Sequence, residues 1–169
     1  MNTNLTHSDF QALAEFRYQI RRFLAFSEEA ARSAGLEPGQ HQFMLALKGL
    51  PSQSRPRVID LAERLHIQHP SAVEMADRLA RGGYIRRVPA KQDRREVLLS
   101  LTAKGERVLS QLSMHHHAEL QKNGPALIAA LRRIVEFGVA ADDRPALAAR
   151  PPEQKTLSLR SRPTKWRSL

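Results

Sequence analysis

The sequence predicts a mainly α-helical fold interrupted by one small β-hairpin. Three observations predict it. Apolar residues recur near the 3.6-residue period in long segments at both ends of the chain. Two short helical patterns near the middle are separated only by His66-Ile67-Gln68, the spacing of two helices joined by a tight turn. Two β-like runs, Tyr84-Ile85-Arg86-Arg87-Val88 and Val97-Leu98-Leu99-Ser100-Leu101, then bracket a polar tip from Pro89 to Glu96.

The bulk properties bound what such a fold can do. The 169 residues suffice for one domain with appendages. Twenty-seven Lys and Arg against 17 Asp and Glu give a formal charge of +10. The resulting pI near 11.0 favours polyanionic partners, of which nucleic acid and anionic membrane are the obvious two. No window approaches the roughly 18 continuous apolar residues of a membrane span, so no membrane partner is expected. The stretch Met1 to Gln11 lacks the basic-then-apolar order of a secretory signal, which leaves the cytoplasm as the expected compartment. The absence of cysteine excludes a disulfide framework, a thiolate zinc site and a thiol redox switch.

The elements follow in order. Ser8-Asp9-Phe10-Gln11 fits a capping box, placing a first helix over 8–34. Phe10, Leu13, Phe16, Ile20, Phe23 and Leu24 form its apolar stripe, and Gly35 ends it. The stripe suits either core packing or a dimer interface. Pro38 starts a second helix through Phe43, Met44, Leu47 and Leu50, which Pro51 to Pro56 terminates. Val58 to Leu65 forms a short helix with either Ile59, Ala62 and Leu65 or Val58, Leu61 and Leu65 inward. Pro70 to about Arg81 forms the next, burying Val73, Ala76, Leu79 and Ala80, and Gly82-Gly83 ends it. Helix, turn, helix and basic hairpin together make a winged helix-turn-helix over 55–102. Thr102 caps a long helix to about Lys122, Asn123-Gly124-Pro125 reads as a stop and restart, and a last helix runs to about Val139. Beyond Ala141, residues 142–169 carry scattered prolines and seven basic against three acidic residues, the composition of a disordered tail.

Asp60-Leu61-Ala62-Glu63-Arg64-Leu65, Ser71-Ala72-Val73, Asp77-Arg78-Leu79, Gly83-Tyr84-Ile85-Arg86-Arg87, Asp93-Arg94-Arg95 and Leu99-Ser100-Leu101-Thr102-Ala103-Lys104-Gly105 stand in one order and spacing. In that order they resemble the multiple-antibiotic-resistance regulator (MarR) family of bacterial transcription factors, over roughly Ser8 to Val139. The resemblance implies a DNA-binding transcriptional regulator, expected to be a repressor. It implies a homodimer in which the helices at 8–34 and 103–139 interlock within a domain spanning 1–141. It also implies a small, often aromatic or phenolic, ligand held between the dimerisation helices and the DNA-binding lobe. Phe16, Ile20, Phe43 and Leu47 are the candidate lining residues. Two positions depart from the pattern: His66 stands where a Gly is common, and Glu74-Met75 where a basic or hydroxyl residue is frequent.

In a helix-turn-helix the second helix enters the major groove, N-terminal residues nearest the bases. With Val73, Ala76 and Leu79 inward, helical geometry turns His69, Ser71, Ala72, Glu74, Met75 and Arg78 outward. Gln68, His69 and Ser71 can donate to base edges or phosphate, Glu74 can accept from a cytosine amino group, and Ala72 or Met75 can touch a thymine methyl. Arg78 suits a phosphate, as do Arg55 and Arg57 at the entry to the first short helix. The hairpin holds five basic residues, Arg86, Arg87, Lys91, Arg94 and Arg95, against Asp93 and Glu96. The resemblance assigns entry into a narrow minor groove to Arg95, with Asp93 holding its guanidinium. A dimer would then read an inverted repeat with half-sites about 10 bp apart.

Two other readings use other features. His115-His116-His117 suggests a metal-sensing regulator, but consecutive helical residues point about 100° apart and cannot share one ion. At most His115 or His117 could join a distant ligand such as His7 or His41, so no metal site is assigned. The charge and the tail suggest instead an architectural, non-specific DNA-binding protein. No catalytic constellation is present: there is no H-E-x-x-H, P-loop, dinucleotide glycine pattern or Ser-His-Asp order, so neither an enzyme nor a cofactor is expected.

Overall fold

A computed structural model describes residues 5–90 and 96–137. Seven elements follow one another: α1 (His7–Ser33), α2 (Pro38–Lys48), α3 (Val58–Leu65), α4 (His69–Arg81), β1 (Ile85–Pro89), β2 (Val97–Leu101) and α5 (Ala103–Phe137). The fold class is the one expected, mainly helical with one antiparallel hairpin, and the chain traces a winged helix-turn-helix between two long helices. Among the described residues, none of the helices is long and apolar enough to cross a membrane.

The cap of α1 lies earlier than the Ser8 box. Thr6 is the N-cap: Asp9 N–H donates to Thr6 Oγ1 at 3.3 Å, and the Asp9 carboxylate accepts from Thr6 N–H at 2.7 Å. A carboxylate near the helix's positive end is favoured over a neutral Gln, which decides between the two boxes. These hydrogen bonds hold the Asp9 carboxyl below the usual carboxylate range. Gly35 ends the helix at φ +75°, allowing Leu36 N–H to reach Ala31 O at 3.0 Å and Leu36 to bury its side chain.

One apolar core joins the elements of the lobe. Phe43 and Met44 from α2, Leu61 and Ala62 from α3, Ala72, Ala76 and Leu79 from α4, Ile85 and Leu99 from the hairpin, and Leu109 and Leu112 from α5 are all buried. In α3 this is the Val58-Leu61-Leu65 phase, leaving Ile59 40% exposed. Strand pairing runs from Ile85 opposite Leu101 to Pro89 opposite Val97.

The Asn123-Gly124-Pro125 break is absent. α5 continues through Pro125 for 35 residues, about 50 Å at the standard rise. Proline removes one i→i−4 hydrogen bond, but lateral support from α1, which packs along α5, outweighs that local loss. Expected helix beyond Phe137 and the tail 142–169 lie outside the described residues.

Where α1, α2 and α5 meet, the middle residue of the histidine run packs against a buried imidazole. His41 of α2 stacks on His116 of α5, ring centroids 4.8 Å apart and planes 7° from parallel. Phe23 and Phe26 of α1 present their edges or faces to His116 at 5.9 and 5.8 Å. His116 engages Leu112 O through Nδ1 at 2.6 Å and Ser27 Oγ through Nε2 at 2.9 Å. His41 is 2% exposed, and neither of its ring nitrogens has a partner among the described residues. Burial, with His116 beside it, pushes the His41 pKa down from 6.5 to about 4.

The unfolded chain therefore takes up a proton near pH 6.5 that the folded chain refuses until about pH 4. Stability is intact above the higher value and is lost as pH falls through this window, by up to about 3 kcal/mol. His41→Leu is expected to flatten this part of the melting-temperature profile relative to the parent chain. Parallel profiles for the two proteins would show that another group titrates.

Candidate nucleic-acid interface

The turn between α3 and α4 sets the angle of the second helix. His66 takes the left-handed conformation at φ 54°, the only non-glycine positive φ among the described residues. The short polar-edged imidazole tolerates this region better than a β-branched residue would. Ile67 N–H then closes on Ala62 O at 3.0 Å. The departure from glycine at this position thus preserves the turn that glycine would make.

α4 exposes Gln68, His69, Ser71, Glu74 and Arg78. Gln68 is the N-cap but makes no capping hydrogen bond with its side chain, and Pro70 lies in the first turn. The free N–H groups of this end carry partial positive charge suited to a phosphate. Arg78 Nη1 lies 3.2 Å from Glu74 Oε1, one turn earlier on the same helix. Two assignments change. Ala72 has no exposed surface, because α4 buries Ala72, Ala76 and Leu79 in a 4-then-3 spacing, so it faces the core rather than a thymine. Met75 is half-buried against the core, and its methyl lies where a Cβ on Gly39 would come within 3.0 Å.

The hairpin stands beside α4. Arg86 is exposed on β1. Arg87 Nη2 pairs with Asp77 Oδ1 of α4 at 2.7 Å, joining strand to helix. Lys91, Asp93, Arg94 and Arg95 lie outside the described residues. Arg55 and Arg57 do not present free cations. Arg57 donates to both carboxylate oxygens of Asp60, at 2.8 and 2.7 Å, which holds the Asp60 carboxyl below the usual range. Arg55 Nη1 donates to Glu96 Oε2 at 2.9 Å. The sequence reading missed Glu96 as a partner. The Arg57-to-Asp60 spacing was visible in the sequence, but nothing local marks a partner 41 residues away.

The base of the hairpin is fixed to α5. Thr102 Oγ1 donates to Gly83 O at 2.6 Å, and Gly105 N–H donates back to Thr102 Oγ1 at 3.1 Å. Lys104 Nζ donates to Gly82 O at 2.8 Å and sits 4.2 Å above the centre of the Tyr84 ring.

The four residues expected to line an effector cleft are not brought together. Phe43 and Leu47 lie in the lobe core, whereas Phe16 and Ile20 are half-buried on α1. An open groove of about 880 Å³ instead lies between α1 and α5, lined by Phe26, Ala30, Leu112 and Ala118, with Glu29 and Lys122 among its polar residues.

Comparison with known proteins adds the decisive observation. Residues 42–97, from α2 to the start of β2, match the model of the MarR family. This segment is a MarR-family domain. Solved structures resembling this chain include YusO from Bacillus subtilis, 22% identical, covering 80% of this chain and 100% of the other with a TM-score of 0.56. A MarR family protein from Bacillus stearothermophilus is 16% identical, with 80% and 96% covered and a TM-score of 0.62. A mutant MarR from E. coli complexed with operator DNA is 20% identical, with 73% and 90% covered and a TM-score of 0.55. At these identities the likeness establishes the fold. No curated protein matches by sequence.

The α5 junction makes a specific demand on Gly105. A Cβ there would collide with the Tyr84 carbonyl oxygen, a backbone atom that cannot swing aside. Gly105→Ala is expected to lower stability by about 1–3 kcal/mol in denaturant melts. An unchanged midpoint would mean that the hairpin base shifts freely against α5.

Proposed function

We propose that the chain is a sequence-specific repressor that binds an inverted-repeat operator as a homodimer. The observation that carries this reading is the exposed polar face of α4, Gln68, His69, Ser71, Glu74 and Arg78, beside a packed hairpin on which Arg86 is also exposed. Donors and acceptors at the helix's N-terminal end suit base edges, and the strand cation suits phosphate. Lys91, Arg94 and Arg95 supply further cations for phosphate. Arg95, steadied by Asp93, inserts into an A·T-rich minor groove.

Dimerisation is supported by apolar surface that one chain leaves bare. Phe10, Leu13 and Tyr18 of α1 are 57%, 40% and 58% exposed, and Ile128, Leu131 and Val135 of α5 are 53%, 45% and 60% exposed. Lone exposed apolar residues are ordinary; a run along two adjacent helices calls for a partner. A second copy of residues 1–141 satisfies it and places two α4 helices on successive major grooves, with half-sites about 10 bp apart. A small aromatic or phenolic ligand that favours a different separation of those helices releases the DNA by population shift. The basic segment 142–169 contributes sequence-independent affinity.

Selection of random duplexes at near-physiological salt, followed by sequencing, tests the reading. Enrichment of one inverted repeat with half-sites a helical turn apart is expected. Binding without enrichment would overturn sequence-specific regulation in favour of an architectural role. On the selected site, Arg95→Ala is expected to weaken binding several-fold with the melting temperature unchanged, and equal affinity would remove Arg95 from the minor groove.

A further inference from the structure

Glu96 stands immediately before β2, at the foot of the hairpin, where its backbone carbonyl accepts from Ala90 N–H at 2.9 Å. Its side chain is only 16% exposed, far less than those of the two arginines facing it. Arg55 donates to one carboxylate oxygen at 2.9 Å, and Arg57 Nη1 lies 3.8 Å from the other. Between those arginines, Pro56 O accepts from Leu99 N–H of β2 at 2.8 Å. One backbone bond and one carboxylate therefore join the hairpin to the chain entering α3. Asp60 holds Arg57 from its other side.

We propose that Glu96 is a positioning residue that also sets DNA specificity. It tethers the wing to the entry of α3 and withholds Arg55 and Arg57 from DNA phosphates. The proposal rests on the DNA-reading assignment above. Both guanidiniums stay open to solvent although Glu96 does not, and ion pairs screened by water contribute little to stability, typically about 0–1 kcal/mol, so a fold requirement explains the arrangement poorly. Its electrostatic effect is larger. Each free arginine near a groove edge adds a phosphate contact that is blind to sequence. A regulator works by its ratio of operator to random-DNA affinity, and cations left free here lower that ratio. Holding the wing in place before binding also removes an ordering cost from the specific complex.

The test compares the full-length chain with Glu96→Gln, which keeps the shape and removes the charge. Affinities are measured by salt titration on the selected repeat and on a random-sequence duplex. Glu96→Gln is expected to bind the random duplex roughly threefold to tenfold more tightly. Its slope of log affinity against log salt is expected to steepen by about 0.9 for each phosphate newly engaged. The operator-to-random ratio falls accordingly, and Glu96→Asp restores the parental slope. Arg55→Gln is expected to change little in the parent chain but to reverse the gain in the Glu96→Gln background. An unchanged slope and ratio in Glu96→Gln would overturn the proposal. So would a loss of affinity for both DNAs on Arg55→Gln alone, which would make Arg55 a direct phosphate contact. If the parent chain selects no sequence, the regulator reading fails instead, while the slopes on random duplex still test what Glu96 restrains.

Discussion

Phe43 and Met44 of α2 have no exposed surface, and the remainder of the lobe is located by what packs on them. α2 lies against α1, α3, α4, β2 and α5, so a short helix between two longer ones serves as the common partner. Burying side chains of this size contributes about 1.5–3 kcal/mol each. The geometric consequence outweighs the energetic one. Leu61 on α3, Leu79 on α4 and Leu99 on β2 share that core, and close packing leaves little freedom in the angle between α4 and the hairpin. Exposed Gln68, His69 and Ser71 are held by residues on the opposite side of their own helix.

Much of this was legible in the sequence because its signals are local. Pro38 and Pro70 at helix starts, Gly35 after α1 and the Gly82-Gly83 pair each fix a backbone conformation within a few residues. Two β-like runs bracketing a polar tip did the same for the hairpin. The failures came where a local signal met a distant constraint. Asn123-Gly124-Pro125 is a strong helix stop in isolation, yet α1 alongside carries the helix past it. Thr6 and Ser8 are equally good caps by type, and the charge on Asp9 separates them.

Small side chains blurred the site itself. Val73-Ala76-Leu79 and Ala72-Ala76-Leu79 differ only in their first member, and alanine fits a buried or an exposed position with similar ease. Burial of Ala72 lets α4 approach the core closely, which a larger residue would forbid. The ion pairs Arg55–Glu96 and Arg87–Asp77 bring together separate elements, and no periodicity announces them. The same is true of the His41–His116 stack. Of the three adjacent histidines, the middle one is engaged among the described residues, with an imidazole from another helix. Positive charge on the lobe is thus less freely available than the composition suggests, with Arg55, Arg57, Arg78 and Arg87 each beside a carboxylate.

The unbroken course of α5 turns the molecule into a lever. Its first turn grips the hairpin through Thr102 and Gly105, while its far half carries the bare apolar face of Ile128, Leu131 and Val135. Over about 50 Å of rigid rod, a tilt of one degree at one end displaces the other by about 0.9 Å. Pro125 lies between those two ends, at the point where the backbone ladder lacks one rung. How stiffly that single joint bends decides how faithfully movement at one end of the rod reaches the other.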